Sequence, residues 1–482
     1  MLLACIPAEA GDLKLFSLFG DHAILQRGKP VPVWGWAKPG EMVTVEFINQ
    51  KVQATADAEG RWRVSLTAME ANSTPAALTV RTASGEFLAA NDVLVGEVWF
   101  CSGQSNMAET VGTTVNAKEE VARGAQPLLR EYRSPPRSVA EKPAADCAGQ
   151  WKVANASTVK GFSGTAYYFG HALQEKLGVP VGLITSAVGA TRIESWISRA
   201  AVAERPAMAK SLAALDKEYA DYQTALMAFQ AANPDPNTAV DPAAEPKAPY
   251  FGKNFRASLY NAQIAPHAGT AIRGFAWYQG EANRGDTDYL KKLTTLIESW
   301  RKDWNDPALP FFIVQIAPFD YKGAHRSPEI WEAQTRALTL PATAMVVTLD
   351  VGDLGNIHPP NKKPIGERLA LQAMQKVYGK KEIVADSPLY ASHTIANGKI
   401  AITFKNPGGG LVSRDGAALT WFTIAGADGI FTPAEAVISA SDRVLVSSPQ
   451  VPEPKSVRFA WSNIAQPNLM NKAGLPAGAF RQ

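Results

Sequence analysis

Ser105 has the sequence context of a nucleophile, because it follows an apolar run in the segment Gly96–Met107 (GEVWFCSGQSNM). The apolar run predicts a strand, and a serine on a glycine-containing turn after a strand is exposed at the carboxyl edge of a parallel sheet. Three further residues follow apolar runs in the same way, namely Gly189, Asn283 and His358. A hydroxyl, an imidazole and amide donors are the groups that acyl transfer from an ester requires.

Each of these residues has a chemical role in such a reaction and a simpler structural one. Ser105 would attack the ester, but it could also cap the next helix, and the two roles are compatible. His358 would remove the serine proton, although a loop histidine is ordinarily a surface residue; two prolines after it stiffen the loop. The N–H of Gly189 and the amide of Asn283 would complete an oxyanion hole with the Ser105 amide. Their alternatives are a plain turn glycine and an asparagine in a helix cap or turn.

Composition excludes several classes of function. The 482-residue chain is too long for one hydrophobic core, so we expect two to four domains. Its net charge of +3 argues against nucleic-acid binding. The three cysteines match neither a disulfide framework nor a zinc site, and the six histidines are scattered. We therefore expect no metal and no other cofactor.

The first eleven residues are typical of an export signal that lacks its start, or of a disordered terminus. They finish in Ala8-Glu9-Ala10, which is similar to a cleavage site, and residues 2–5 (LLAC) loosely resemble a lipoprotein acylation site. No apolar run approaches the ~20 residues that span a bilayer. We expect a secreted or periplasmic protein, with lipid anchoring as the alternative.

Strands and helices alternate in residues 96–380, which predicts the domain that positions the candidate residues. Segments of helical period, such as 288–304, separate the apolar runs, which lie at 94–101, 179–188, 271–278, 310–317 and 343–350. Fully apolar strands in such an alternation predict a parallel sheet with helices on both faces. Since sites in these sheets form at the carboxyl ends of the strands, the four candidate residues should meet at one edge.

Two β-rich regions flank this domain, and one insertion interrupts it. Residues 12–95 and 381–482 alternate apolar and polar residues between glycine and proline turns, which predicts antiparallel, sandwich-like β units. The second unit either packs against the first or stands alone. A helix and a proline- and alanine-rich loop at about 206–250 form the insertion, which either caps the pocket or packs on the side of the domain.

Four sequence blocks resemble those of the SGNH hydrolase superfamily and, within it, the sialate O-acetylesterase-like family of carbohydrate acetylesterases. The blocks are GQSNM at 103–107, GATRIESW at 189–196, WYQGEAN at 277–283 and IHPPNKKPIGERLA at 357–370. Segments 24–35 and 459–463 extend the resemblance over nearly the whole chain. The resemblance implies an α/β fold with a flavodoxin-like three-layer α/β/α core. It also implies metal-independent removal of acetyl groups from sugar hydroxyls.

The resemblance assigns roles to individual residues of this chain. It makes Ser105 the nucleophile and His358 the base, and it lines the oxyanion hole with the Ser105 amide, Gly189 and Asn283. Further residues of the matching blocks are implied to bind substrate or to shape its site: Gln104, Gln279, Glu281, Arg192 and Trp196.

The carboxylate that would orient His358 is a departure from the family pattern. Many SGNH enzymes have an aspartate three residues before the histidine, where this chain has Gly355, and the position two before is Asn356. We expect Asp353 to orient the imidazole; Asp350, or a backbone carbonyl in a Ser–His dyad, is the alternative.

Three functions are compatible with this pattern. The favoured one is an esterase acting on O-acetylated carbohydrate, such as sialic acid or a plant hemicellulose (xylan or xyloglucan). A lipase or thioesterase on the same scaffold would need a long apolar tunnel for its acyl chain. A non-catalytic carbohydrate-binding protein is disfavoured because Ser105 and His358 are both present. No nucleic-acid partner or membrane span is expected, and the oligomeric state carries no signal in the sequence.

Overall fold

Short antiparallel strands form the amino-terminal part of the chain, as their alternating apolar and polar residues predict. The computed structural model describes residues 12–135, 139–234, 244–246, 252–324 and 326–482, so the predicted export signal at 1–11 lies outside them. The first, third and sixth strands form one sheet, and the others join a larger sheet through a long eighth strand. The strands are β1 (Lys14–Leu15), β2 (Ile24–Gln26), β3 (Val31–Trp36), β4 (Met42–Phe47), β5 (Gln50–Thr55), β6 (Arg61–Leu66), β7 (Asn72–Thr82) and β8 (Phe87–Gly103).

Strand β8 belongs to two units at once. Its first half pairs antiparallel with β7, and its second half pairs parallel with strands of the core. The boundary predicted at 95/96 therefore falls inside a continuous strand. Near this point the buried Glu97 pairs with Arg27 at 2.6 Å and with Arg273 at 2.7 Å. A continuous strand and buried charges join the two units, where the sequence pattern suggested a simple boundary.

The central sheet runs in the order β10-β9-β11-β8-β12-β13-β14. All neighbours are parallel except β10, which is antiparallel to β9. Without β10 and β9, the order is that of a flavodoxin-like sheet, with the first strand (β8) between the second and the third. The sequence pattern predicted the five flavodoxin-like strands and missed the edge pair. The strands are β9 (Gln126–Arg133), β10 (Gln150–Ala154), β11 (Val181–Ala187), β12 (Gly274–Tyr278), β13 (Phe311–Val314) and β14 (Thr343–Val346).

Helices cover both faces of this sheet, which confirms the predicted three-layer core. Successive residues of β8 point to opposite faces: Trp99 packs against Phe169 on one side, and Phe100 packs against Trp300 on the other. The helices are α1 (Ser105–Ala108), α2 (Ala117–Ala122), α3 (Gly164–Leu177), α4 (Arg199–Ala203), α5 (Pro206–Ala232), α6 (Tyr289–Asp303), α7 (Ser327–Arg336) and α8 (Lys363–Lys376).

Helix α5 is the helical part of the predicted insertion; of the loop that follows, residues 235–243 and 247–251 lie outside the described residues. Asp216 on α5 forms an ion pair with Arg199 on α4, and the ring of Tyr219 lies 6.3 Å from that of Phe255. No helix in the described parts of the chain has the length and apolar character needed to cross a membrane.

The carboxyl-terminal strands form three small antiparallel sheets, as predicted. This unit packs on the core: Gln466 donates to the carbonyl of Gly352 at 2.7 Å, and the Asn463 side chain accepts from the Ser327 N–H at 2.9 Å. The first of these contacts reaches the segment after β14, which carries His358. The strands are β15 (Leu389–Ala396), β16 (Lys399–Lys405), β17 (Leu411–Ser413), β18 (Phe422–Ala425), β19 (Thr432–Pro433), β20 (Glu435–Ala440), β21 (Arg443–Ser447), β22 (Ser456–Phe459), β23 (Leu469–Asn471) and β24 (Phe480–Arg481).

Candidate active site

Ser105 lies where β8 ends and α1 begins, at the carboxyl edge of the central sheet. Strand β8 lies between β11 and β12, the point at which the strand order reverses, and ligands bind at such points in open α/β sheets. The turn needs Gly103, because its φ is 141° and a Cβ there would lie 2.1 Å from the carbonyl oxygen of Tyr278. The Ser105 side chain is partly exposed, as a nucleophile must be.

Gly189 lies directly beside Ser105. A Cβ built on Gly189 would be 3.4 Å from the Cβ of Ser105. The neighbouring Val188 donates to the carbonyl of Gly103 at 3.1 Å, which holds this loop against the serine turn. Within the described residues, neither the Ser105 nor the Gly189 backbone N–H has a hydrogen-bond acceptor. Two unpaired N–H groups beside a serine are the donors that a developing oxyanion requires.

Asn283 is buried nearby, but its amide hydrogens are already engaged. Its nitrogen donates to Glu194 at 3.0 Å and to Asp286 at 3.1 Å, and its oxygen accepts from the Ile193 N–H at 2.9 Å. Lys292 neutralises the two carboxylates, at 2.7 and 2.6 Å. In this arrangement Asn283 holds the 193–196 segment in place, and of the three expected donors only the Ser105 and Gly189 N–H groups lack an acceptor in the described residues.

Arg192 is the most exposed of the five residues expected at the substrate site; the other four are buried. Its side chain is half exposed, and its guanidinium lies 3.7 Å from Glu194. Beside it, Lys253 donates to the carbonyl of Gly189 at 2.7 Å. One cationic side chain, Arg192, therefore lies on the loop that faces Ser105, and a second, Lys253, contacts this loop from a separate segment of the chain.

The buried residues among these five form hydrogen bonds that stabilise the loops after β11 and β12. The Trp196 indole donates to the Thr191 hydroxyl at 3.0 Å, and the Gln279 amide donates to the Thr191 carbonyl at 3.0 Å. The Gln104 side-chain oxygen accepts from the Ala282 N–H at 3.3 Å. Trp196 is fully buried and packs edge-on against another tryptophan of the core, so its ring is not presented to solvent.

His358 lies in the segment 347–362 between β14 and α8, here called the histidine loop. Its side chain is 36% exposed, and its N–H donates to the Asn356 side chain at 2.9 Å. Burial lowers the pKa of His358; the Glu109 carboxylate raises it in part, and the Lys362 ammonium lowers it further. A lowered pKa keeps the imidazole neutral near pH 7, which is the form that accepts a proton.

The histidine loop is tied to the residue that follows the nucleophile. The Asn106 amide donates to the Ile357 carbonyl at 3.1 Å and to Glu281 at 2.6 Å, and the Lys362 ammonium donates to the Asn106 oxygen. The contacts of the described residues include no hydrogen bond between the Ser105 hydroxyl and the histidine ring. Ser105 and His358 both follow the carboxyl ends of strands of the central sheet, β8 and β14.

The structure gives the expected acids other partners. Asp353 is exposed, and its carboxylate accepts from the Gly355 N–H at 2.9 Å within its own turn. Asp350 forms a bidentate pair with Arg368, at 2.8 and 2.6 Å. The carboxylate that faces the imidazole belongs to Glu109, 3.9 Å from its Nδ1.

Sequence reasoning missed Glu109, Asn106 and Lys362, although all three lie within a few residues of the nucleophile or the base. Glu109 is four residues after Ser105, and its N–H donates to the Ser105 carbonyl at 2.7 Å, so one helical turn brings it back to the site. That i, i+4 spacing was the available signal.

The sequence and the fold match those of known carbohydrate esterases. The family model for "Carbohydrate esterase, sialic acid-specific acetylesterase" matches residues 95–234 and 246–375. The sialate O-acetylesterase of Mus musculus is 28% identical over 449 residues, which cover 84% of this chain and 81% of the mouse protein. The sialate O-acetylesterase of Homo sapiens is 29% identical over 394 residues, which cover 74% of this chain and 69% of the human protein. A crystal structure of a carbohydrate acetylesterase from Xanthomonas citri is 33% identical with a TM-score of 0.84, and covers 98% of this chain and 99% of that chain.

These matches and the fold define the class of protein, which is a carboxylic ester hydrolase of the carbohydrate acetylesterase type. The family model spans more than half of the chain. The chain therefore belongs to the family of sialic acid-specific acetylesterases, and the predicted resemblance is confirmed.

Proposed function

We propose that this enzyme removes acetyl groups from the hydroxyl groups of an O-acetylated sialic acid, with Ser105 as nucleophile and His358 as base. The observation that carries this proposal is the contact between Gly189 and Ser105, where two unpaired backbone N–H groups flank a partly exposed hydroxyl. The coupling of the histidine loop to the residue after Ser105 supports the assignment of the base.

In the first half of the reaction, the imidazole of His358 takes the proton of the Ser105 hydroxyl, and the serine oxygen attacks the acetyl carbonyl. The carbonyl oxygen becomes an oxyanion that accepts hydrogen bonds from the N–H groups of Ser105 and Gly189. Each such donor contributes roughly 3 kcal/mol to the stability of the transition state. The sugar oxygen then leaves with the proton that His358 carries.

In the second half, water loses a proton to the same imidazole and attacks the acetyl-serine. The intermediate collapses to acetate, and Ser105 recovers its proton. Glu109 faces Nδ1 of His358, which leaves Nε2 for the serine and for water. We assign Glu109, in preference to Asp353, to the orientation of the ring and the stabilisation of the imidazolium.

The preference for sialic acid over a neutral hemicellulose rests on charge. Sialic acid carries a carboxylate, whereas xylan and xyloglucan backbones are neutral. Arg192 places one cation on the loop that faces Ser105, and Lys253 places a second against the same loop at the Gly189 carbonyl. A guanidinium is well suited to bind a carboxylate. The names of the mouse and human relatives point in the same direction.

Acetate release from a panel of substrates tests the proposal. Purified enzyme is supplied with 9-O-acetylated sialosides, acetylated xylan and acetylated xyloglucan, and the Ser105→Ala variant serves as the control. We expect sialosides to give the highest kcat/KM and the variant to release no acetate. A preference for a neutral polysaccharide would overturn the substrate assignment, and equal rates for enzyme and variant would overturn the nucleophile.

The acyl group is tested separately, because a lipase or thioesterase remains the competing reaction on this scaffold. We expect 4-nitrophenyl acetate to be hydrolysed faster than 4-nitrophenyl octanoate. A preference for octanoate would contradict the acetylesterase assignment.

We also propose that the enzyme works outside the cytoplasm, on the basis of residues 1–11 in the sequence. Fractionation of cells that express the chain with its native leader tests this, with esterase activity as the readout. Activity confined to the cytoplasm would contradict it.

A further inference from the structure

Asn106 connects three parts of the site through one buried side chain. Its nitrogen donates to Glu281 at 2.6 Å and to the carbonyl of Ile357 at 3.1 Å, and its oxygen accepts from the Lys362 ammonium. These partners lie after β12 and in the histidine loop, while Asn106 itself directly follows the nucleophile. Any displacement of the histidine loop relative to Ser105 must therefore break one of these bonds.

Lys362 is unusual because a lysine is rarely buried, and this residue is only 1% exposed. Within the described part of the chain, its ammonium forms no ion pair with a carboxylate; it contacts Asn106 and lies 5.6 Å from the ring centre of Tyr278. Burying a charge costs several kcal/mol unless it is well compensated. An apolar side chain would fill this space more favourably than a lysine, so the buried ammonium points to a role in the reaction.

Glu281 supplies the opposite charge on the other side of Asn106. One of its oxygens accepts from Asn106, and the other is buried without a partner in the described residues. Burial raises the pKa of Glu281, and burial lowers the pKa of Lys362 to about 7. The carboxylates of Glu281 and Glu109 act against this shift of Lys362. The amide of Asn106 joins the Glu281 carboxyl group and the Lys362 amine in one buried chain of hydrogen bonds, and Lys362 carries its charge at pH values below about 7.

We propose that Lys362 is a positioning residue that locks the histidine loop onto the nucleophile helix through Asn106 and holds a positive charge near His358. This role rests on the proposed function, since it assigns the base to His358. Neither Lys362 nor Glu281 touches the substrate in this scheme.

The charge on Lys362 has a consequence that a purely structural residue would not have. The Lys362 ammonium is one of the groups that lower the pKa of His358. The base must be neutral, so kcat/KM rises with pH through the pKa of His358 in the free enzyme. Removing the cation raises that pKa, and the acidic limb of the pH profile moves to higher pH.

The test compares Lys362→Met with wild type and with Lys363→Met, in which the neighbouring, partly exposed lysine loses the same charge. The substrate is 4-nitrophenyl acetate. We expect Lys362→Met to lower kcat by about tenfold to hundredfold, since small misplacements of catalytic groups have effects of this size. KM should stay within about twofold, and the acidic midpoint should move upward. Lys363→Met should leave all three quantities at wild-type values, and Lys362→Arg should restore most of the lost kcat because it keeps the cation.

The folded state of each variant is checked by circular dichroism and thermal unfolding. If Lys362→Met does not fold, the double variant Lys362→Met/Glu281→Gln removes both buried charges and is measured in its place. The same upward shift of the midpoint is expected, because the cation near the imidazole is again absent. A folded variant with wild-type kcat and an unmoved midpoint would overturn the proposal.

The outcome also separates this inference from the proposed function. Loss of activity in Ser105→Ala and His358→Ala, together with wild-type behaviour of Lys362→Met, would leave the proposed reaction intact and reject the role of Lys362. Full activity in Ser105→Ala would reject the reaction itself.

Discussion

The two sides of the active site are held in place by different kinds of structure. On the oxyanion side, Gly189 follows a buried strand, and a closed network around Asn283 fixes the loops beneath it. On the histidine side, His358 lies in a loop whose neighbours Asp353 and Asn356 are exposed. Its attachment to the rest of the site runs through the buried side chain of Asn106.

The difference shows which part of a hydrolase site tolerates change. The N–H groups of Ser105 and Gly189 are positioned at strand ends by the sheet, and the side-chain network around Asn283 supports the loops beneath them. A base in a loop is positioned by side-chain contacts, and the residues that make them can vary. The departure at the expected acid, with Glu109 facing the ring, is of this second kind.

We expect the largest effect on kcat from removing the Ser105 hydroxyl, which lies between the oxyanion side and the histidine side. Ser105→Ala eliminates the nucleophile, and we expect kcat for 4-nitrophenyl acetate to fall by about 10⁴-fold or more. His358→Ala should produce a loss of similar size, because nucleophile and base act as one unit. Stopped-flow and steady-state assays measure both. A wild-type rate in either variant would contradict the role assigned to that residue, and one side of the site would then be misassigned.

Asn283→Ala tests the oxyanion side. It removes two hydrogen bonds to carboxylates and leaves the Ile193 N–H without its acceptor. We expect the free energy of unfolding in urea to fall by about 3 kcal/mol. Arg192→Met, at a half-exposed position in the loop after β11, is the control and should keep wild-type stability.

The catalytic readout of Asn283→Ala completes that test. A loss of kcat of about 10²- to 10³-fold with unchanged stability would assign its amide to the oxyanion directly, because single oxyanion donors have effects of that size. Because the Asn283 amide already donates to Glu194 and Asp286, we expect a loss of stability together with a loss of kcat smaller than about 10²-fold.

The sequence predicted that Ser105 and Gly189 lie together, but it did not predict the side-chain contacts of Asn283 or of the histidine loop, for a physical reason. Apolar runs end where strands end, and the carboxyl ends of parallel strands meet at one edge, so Ser105 and Gly189 could be placed together before the structure was known. The five flavodoxin-like strands followed from the same pattern. The edge strands β9 and β10 were missed because polar residues such as Arg130 and Glu131 interrupt the apolar pattern of β9.

The side-chain contacts of the histidine loop follow no periodic pattern in the sequence. Asp353 was expected near the imidazole from its distance along the chain, but its carboxylate accepts from the N–H of Gly355 in its own turn. Asn106 and Lys362 are 256 positions apart, and Asn106 and Glu281 are 175 apart, so no local pattern could pair them. Side-chain networks between distant segments require the fold before they can be identified.

Glu109→Gln and Asp353→Asn form a matched pair of variants that tests which carboxylate orients His358. Each variant exchanges a carboxylate for an amide of the same shape. We expect Glu109→Gln to lower kcat by about tenfold or more, since it removes the anion that would stabilise the imidazolium. Asp353→Asn should change kcat by less than about twofold, as is usual for an exposed loop residue. The reverse order would assign the orienting role to Asp353.

The smallest expected effect is a shift in the pH profile, and its sign follows from the groups around His358. Burial and the Lys362 ammonium lower the pKa of His358, and the Glu109 carboxylate raises it. Activity should therefore fall as pH decreases, with a midpoint of kcat/KM below the ordinary histidine value of about 6.5. Glu109→Gln removes the group that raises the pKa of His358, so its midpoint should lie lower still. Measurements of kcat/KM from about pH 4 to about pH 8 give both midpoints. An unmoved midpoint in Glu109→Gln would mean that the carboxylate does not act on the imidazole, and the assignment of Glu109 as the orienting acid would then be rejected.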